Sequence, residues 1–210
     1  IDGIHGNLSG WYQALNSTRN ALINGTAPWG KSDILMTTHN HGDHYAPNST
    51  SSFLSRNPDA LYIAPTSARS VSPRGQVSNI NPVRGTSTTL QHNGIDVEVL
   101  HIRHFDQFTF DFRTHDNYAF IVTIGGKKVM HVGDAFYSTA NFSSFNLRAK
   151  GIDVLIIPTF NTLISATNRD IINAQIGPKN IIAAHLQTST PISSVRAIYP
   201  SATIFTANGA

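Results

Sequence analysis

Cysteine is absent from the 210 residues. That excludes a disulfide framework, thiolate zinc sites, iron–sulfur clusters and a cysteine nucleophile. Charge is scarce as well: Asp, Glu, Lys and Arg make up 13% of the chain, about half the ~25% of an average soluble domain. Ser, Thr and Asn fill the gap. Fifteen Lys and Arg against twelve Asp and Glu leave +3, and the basic residues are scattered, so neither a nucleic-acid patch nor a membrane patch is read. No apolar run approaches the ~20 residues of a membrane span. No signal-peptide or transit-peptide pattern heads the chain, and no Met stands at position 1.

The length suits a single domain over 1–210, long enough to bury a core without a metal or disulfide staple. Ile1-Asp2-Gly3 reads as the end of a strand. The chain is therefore expected to be a processed or truncated piece whose first sheet lacks strands. Unless a preceding segment or a second chain fills the gap, that sheet would expose an open edge and an apolar face. Five Asn-x-Ser/Thr sequons, at Asn7, Asn16, Asn24, Asn48 and Asn141, and the lack of cysteine lean toward a secreted or periplasmic location.

Strand and helix signals alternate. Strands are expected at 33–37, 61–64, 87–90, 95–102, 118–124, 128–132, 154–157, 181–184 and 203–206. Helices are expected at 49–56, 141–150, 168–176 and 192–199, with a helical turn at 66–71. His92-Asn93-Gly94 and Gly125-Gly126 mark two hairpins. Central hairpins flanked by strand–helix alternation give an α/β protein with helices covering the sheet or sheets.

What the chain has in excess is histidine, ten residues beside two Met. Any metal here would be held by imidazole and carboxylate. Three imidazoles and a carboxylate crowd into His39-Asn40-His41-Gly42-Asp43-His44, directly after a buried-type strand. The loop at a strand's C-terminal end is where an α/β sheet places its ligand site. In extended chain His39 and His41 project together, which leaves Asp43 and His44 for a second ion. One transition metal takes only about four to six ligands, so two adjacent ions suit this density.

His39-x-His41-x-Asp43-His44 resembles the signature of the metallo-β-lactamase superfamily. Val132-Gly133-Asp134-Ala135 resembles the family's strand-borne bridging aspartate, and 181–184 followed by His185 resembles its final strand and histidine. The stretch 151–158 is similar to a strand of the branch that contains ascorbate-6-phosphate lactonase and N-acylphosphatidylethanolamine-hydrolysing phospholipase D. The resemblance implies a four-layer αββα sandwich and a metal-dependent hydrolase. In such an enzyme a hydroxide bridging two divalent ions, zinc in the first place and manganese or iron as alternatives, cleaves a phosphodiester, lactone or ester. It further implies that His39, His41 and a third histidine hold one ion, that Asp43, His44 and His185 hold the other, and that Asp134 bridges both. Asp43 and Asp134 are the catalytic candidates, with Asp43 placed to orient the attacking water or accept its proton.

For the third histidine the sequence offers His104 or His115. His104 is preferred because it ends the strand at 95–102, whereas His115 lies in a loop at 105–116. His115 and Tyr137 then become substrate-binding or supporting residues. His131 reads as core or support, His101 as a strand residue, His5 and His92 as solvated. Asp at 134 departs from the β-lactam-cleaving members, which usually carry Cys or another residue there, and points instead to phosphoesters, lactones, esters or amides. The expected partner is a small or lipid-like substrate, with no nucleic acid. The alternatives are a nuclease, against which the low charge stands, and a non-catalytic metal-binding or interaction protein. Di-iron redox members prefer Glu in the first motif, and His41 departs from that.

Overall fold

A computed structural model describes residues 1–6, 9–105, 115–160 and 162–205. The Asn7 sequon, the loop at 106–114 and the end of the strand expected at 203–206 lie outside the described residues. Nine strands are described: β1 (Ile34–Met36), β2 (Leu61–Ile63), β3 (Ser87–His92), β4 (Ile95–Arg103), β5 (Asp116–Ile124), β6 (Lys127–His131), β7 (Val154–Pro158), β8 (Asn180–Ala184) and β9 (Thr203–Ile204). The helices are α1 (Asn16–Asn24), α2 (Pro47–Arg56), α3 (Thr139–Phe142), α4 (Leu147–Lys150), α5 (Ala166–Gln175) and α6 (Ile192–Ile198).

The large sheet has seven strands in sequence order, β3 to β9. Strands β3 to β6 form an antiparallel meander, and β6 to β9 run parallel. Asn93 and Gly94 both take positive φ, 49° and 78°, and close the first hairpin. Such a two-residue turn needs left-handed backbone at both positions, which Asn-Gly supplies at low cost.

Alternation on β4 and β5 builds two cores at once. Val97, Val99, Tyr118, Phe120 and Val122 face Met36 and Ile63 of the small parallel sheet β1–β2. Leu100, Ile102, Ala119 and Ile121 face the other way, onto Phe142, Leu147, Ile172 and Val195 of the helical layer. The far side of the small sheet, Leu35 and Tyr62, is covered by Phe53 and Leu54 of α2 and by Leu22 and Ile23 of α1. The order is therefore helix, small sheet, large sheet, helix, the αββα sandwich. Each large apolar side chain buried in these layers contributes about 1.5–3 kcal/mol.

Three expectations need correction. The small sheet does not present a bare apolar face: both of its faces are covered, Asp2 N–H donates to the Met36 carbonyl at 2.9 Å along one edge, and Val77 bridges Tyr62 along the other. The helix expected at 141–150 is interrupted. Asn146 sits in left-handed conformation between a 3-10 turn and α4, which ends at Gly151, also left-handed. Helix α1 was not expected, because its residues are mostly polar and it buries none of them fully. Left-handed Gly25 stops it, its N–H bonded to the Leu22 carbonyl.

Candidate metal centre

The centre is assembled from four places in the chain. His39, His41, Asp43 and His44 come from the turn after β1, His104 from the end of β4, Asp134 from the turn after β6 and His185 from the end of β8. Three overlapping groups have ligand atoms within 4.8 Å of one another: His39, His41 and His104; His39, His44 and Asp134; Asp43, His44 and His185. The fold thus brings together all seven candidate ligands. The His104 ring lies 4.5 Å from that of His39 and 4.7 Å from that of His41. His115 stands just outside, 4.9 Å from His41 and 5.7 Å from His104.

Asp2 ties this cluster down, and sequence reasoning missed it. Its buried carboxylate accepts from the Thr38 N–H at 2.8 Å, from the Thr38 hydroxyl at 2.7 Å and from His44 Nδ1 at 2.8 Å. The Thr38 hydroxyl, having donated to Asp2, accepts from His39 Nδ1 at 2.9 Å. This network places a proton on Nδ1 of both rings and turns each Nε2 inward. The available signal was the charged side chain at the end of an otherwise apolar strand pattern; its partners, 36 and 42 residues away, were not visible.

The electrostatics follow from burial opposed by pairing. Burial drives His39 well below the usual imidazole range, with His44 and His104 adding to it. Burial likewise lowers His104 to about 4. His44 goes the other way: burial disfavours its cation, but Asp134 and Asp2 together outweigh that and hold it well above the usual value. Burial would raise Asp43, yet the hydrogen bond from His185 Nε2 at 2.9 Å and the His44 charge pull it down to about 2. Asp134 is also lowered, burial being outweighed by His44, whose Nε2 lies 3.5 Å away.

The donor set fits divalent cations on a direct observation. His39 Nε2, His44 Nε2, both ring nitrogens of His104, Asp134 Oδ1 and His185 Nδ1 are buried without a hydrogen-bond partner. Unpaired buried polar atoms are costly, about 1–3 kcal/mol each, and one spot rarely gathers so many without a ligand. Imidazole nitrogen and carboxylate oxygen suit zinc, and also manganese or iron.

Two local backbone features aim the ligands. Gly133 has φ +56°, and a Cβ there would meet Thr38 Cβ at 2.7 Å and the Asn117 amide oxygen. Only glycine lets the chain turn this close to Thr38 and present Asp134. The aspartate is therefore borne by this turn and not by β6 itself, which ends at His131. His185 takes φ 51°, a left-handed conformation uncommon for a side-chain-bearing residue. Its ring is boxed by Trp11 at 4.2 Å and Phe160 at 5.4 Å.

The other candidates stand outside the three ligand groups. Tyr137 is buried in the helical-side core against Phe142 and does not line the cavity beside the cluster. His131 accepts the Gly133 N–H through Nδ1 and, like His5, lines that cavity. His101 contacts the Pro82 carbonyl and Asp116, away from the ligand groups. His92 lies in the first hairpin against the Asp59 carbonyl.

A family model described as Beta-lactamase superfamily domain matches residues 17–185. Among solved structures, Igni18, a metallo hydrolase from Ignicoccus hospitalis, is 16% identical with a TM-score of 0.58 over 85% of this chain and 77% of its own. Zn(2+)-bound PqqB from Methylobacterium extorquens is 11% identical with a TM-score of 0.57 over 91% and 79%. A point mutant of CmlA beta-hydroxylase is 15% identical with a TM-score of 0.57 over 83% of this chain, which spans only 42% of that protein. At these identities the likeness is one of fold. A search of curated protein sequences finds no match.

Proposed function

This chain belongs to the beta-lactamase superfamily, and from that premise we propose that it is a hydrolase working with two divalent ions, zinc in the first place, on a lactone, ester or phosphodiester. The observation that carries the reading is the set of buried, unpartnered ligand atoms on His39, His44, His104 and Asp134. In the proposal His39, His41 and His104 would hold one ion and Asp43, His44 and His185 the other, with Asp134 between the two groups. Ions held there would supply Lewis acidity, lowering the pKa of a bound water and polarising the scissile carbonyl or phosphoryl oxygen.

The chain's own residues do the rest. Asp2 and Thr38 keep the His39 and His44 Nε2 atoms turned inward. Asp43, ionised at neutral pH, would orient the attacking water or accept its proton. His115, beside His41, stands where it can contact substrate. The finer placement, among relatives of ascorbate-6-phosphate lactonase and N-acylphosphatidylethanolamine-hydrolysing phospholipase D, is supported by the stretch 151–158. Nucleic acid is not the expected substrate, since the Lys and Arg residues are scattered along the sequence.

Elemental analysis of chelator-free protein should find two ions per chain, and a chromogenic panel of lactones, esters, phosphodiesters and a short RNA should show turnover that Asp134→Ala lowers by orders of magnitude. One ion or fewer at saturation overturns the dinuclear reading. Metal binding with no turnover on any class favours a binding protein, and turnover of the RNA alone a nuclease.

A further inference from the structure

A cavity of ≈ 180 Å³ adjoins the cluster, and its lining joins Asp43, Asp134 and His185 to Trp11 and Tyr12. The aromatic part is held by backbone bonds to the residues that follow His185. Tyr12 N–H donates to the Leu186 carbonyl at 3.0 Å, Thr188 N–H donates to the Gly10 carbonyl at 2.8 Å, and Trp11 bridges Gln187 antiparallel. The indole of Trp11 stands edge-on to the His185 ring, with Phe160 6.0 Å beyond. The segment is thus a fixed wall of the site.

Chemistry narrows what that wall can take. Among the described lining residues there is no Lys or Arg, while Asp2, Asp43 and Asp134 contribute carboxylates. A dianion or polyanion entering here would find charge complement only at the metal ligands, with no Lys or Arg to clamp its remaining oxygens. An apolar group meets the indole, the Tyr12 ring, Ile157, Pro158 and Ala184, the kind of lining that selects by shape and apolar area.

We propose that this cavity binds the apolar acyl or aromatic portion of an uncharged carboxylic ester or lactone, with Trp11 as its specificity-determining residue. The inference rests on the hydrolase reading above and names its substrate class. In the reaction, water oxygen bonds to the carbonyl carbon and the acyl carbon–oxygen bond breaks. The alcohol oxygen takes a proton, giving an acid and an alcohol, or one hydroxy acid from a lactone.

Binding and turnover are tested separately. The chain has two Trp, so Trp29→Phe, at an exposed position, makes Trp11 the sole indole reporter. Zinc-loaded Trp29→Phe protein is titrated with butanamide, hexanamide and octanamide, uncharged carbonyl probes, and with inorganic phosphate and AMP. Affinity should rise about threefold to fourfold per methylene until the cavity is filled, with phosphate and AMP weaker than octanamide. For 4-nitrophenyl esters from butyrate to octanoate, kcat/KM should climb with chain length, and Trp11→Ala should flatten that climb while retaining its zinc. Tyr12→Ala, at an exposed ring, serves the same purpose if Trp11→Ala does not fold.

Affinity independent of chain length, or tighter binding of phosphate or AMP, overturns the proposal. So does a zinc-retaining Trp11→Ala protein that keeps the wild-type chain-length dependence, since the indole would then only pack against His185. Amide binding with the expected dependence but no turnover of any ester or lactone supports the cavity's preference and overturns the hydrolase reading instead.

Discussion

Replacing Asp2 with Asn should loosen the metal centre without unfolding the protein. The carboxylate accepts three donors, from Thr38 N–H, the Thr38 hydroxyl and His44 Nδ1. Asn keeps the volume but offers one acceptor oxygen and an NH2 group, so at least one of the three contacts becomes donor against donor. If the loss falls on His44, its ring rotates or moves its proton to Nε2, the nitrogen needed for an ion. Removing such a supporting carboxylate typically costs 10–100-fold in metal affinity, about 1.4–2.7 kcal/mol. That range agrees with the ~1.5–3 kcal/mol of one hydrogen bond to a charged group. The assay is zinc titration against a competing chelator, with circular dichroism confirming the fold. The expected result is a 10–100-fold weaker affinity for at least one ion. Thr38→Val complements it by cutting the path to His39 Nδ1 while leaving the Asp2–His44 bond. Unchanged affinity in Asp2→Asn would refute the reasoning, because His44 would then be set without its carboxylate.

His104→Ala should cost one equivalent of metal, whereas His115→Ala should keep both ions and change turnover or substrate affinity; elemental analysis of the two variants decides, and the opposite pattern would assign the ligand to His115. Gly133→Ala should destabilise the chain by at least about 1–2 kcal/mol from its left-handed backbone alone, more from the collision with Thr38, and a urea midpoint equal to wild type would contradict this. Asp153 is held down to about 2, first by the hydrogen bond from Lys179 and then by the Lys128 N–H. Its folded-state value lies below the ~3.9 of an unfolded Asp, so its stabilisation is complete above about pH 4 and fades as pH falls toward 2. The gap in urea midpoint between wild type and Asp153→Asn should therefore shrink from pH 5 to pH 2.5, and a constant gap would show that the ion pair is not its source.

The sequence by itself determined the chemistry of the ligands and most of the elements. His39, His41, Asp43 and His44 are legible because one short turn carries them, and spacing within a turn is local information. The hairpins were legible for the same reason: Asn93-Gly94 and Gly125-Gly126 are local solutions to a backbone problem. Strand–helix alternation gave an α/β protein with covered sheets, and the family resemblance implied the four-layer sandwich; that β4 and β5 carry two apolar faces, each buried against a different layer, is what the structure adds.

Local propensity failed where neighbours far along the chain decide. Asn146 breaks a helix that its flanking residues favour, and α1 is a polar helix held largely by α2 and the glycine that ends it. Four facts belonged to the tertiary structure alone. Asp2 serves His44 across 42 residues, and His104 joins His39 across the space between two sheets. Gly133 is required because Thr38 stands against it, and Trp11 reaches His185 only because the segment at 10–12 pairs with the residues after β8. Each depends on which strands lie side by side, and that is fixed by packing the whole core, where no single stretch of sequence carries the answer.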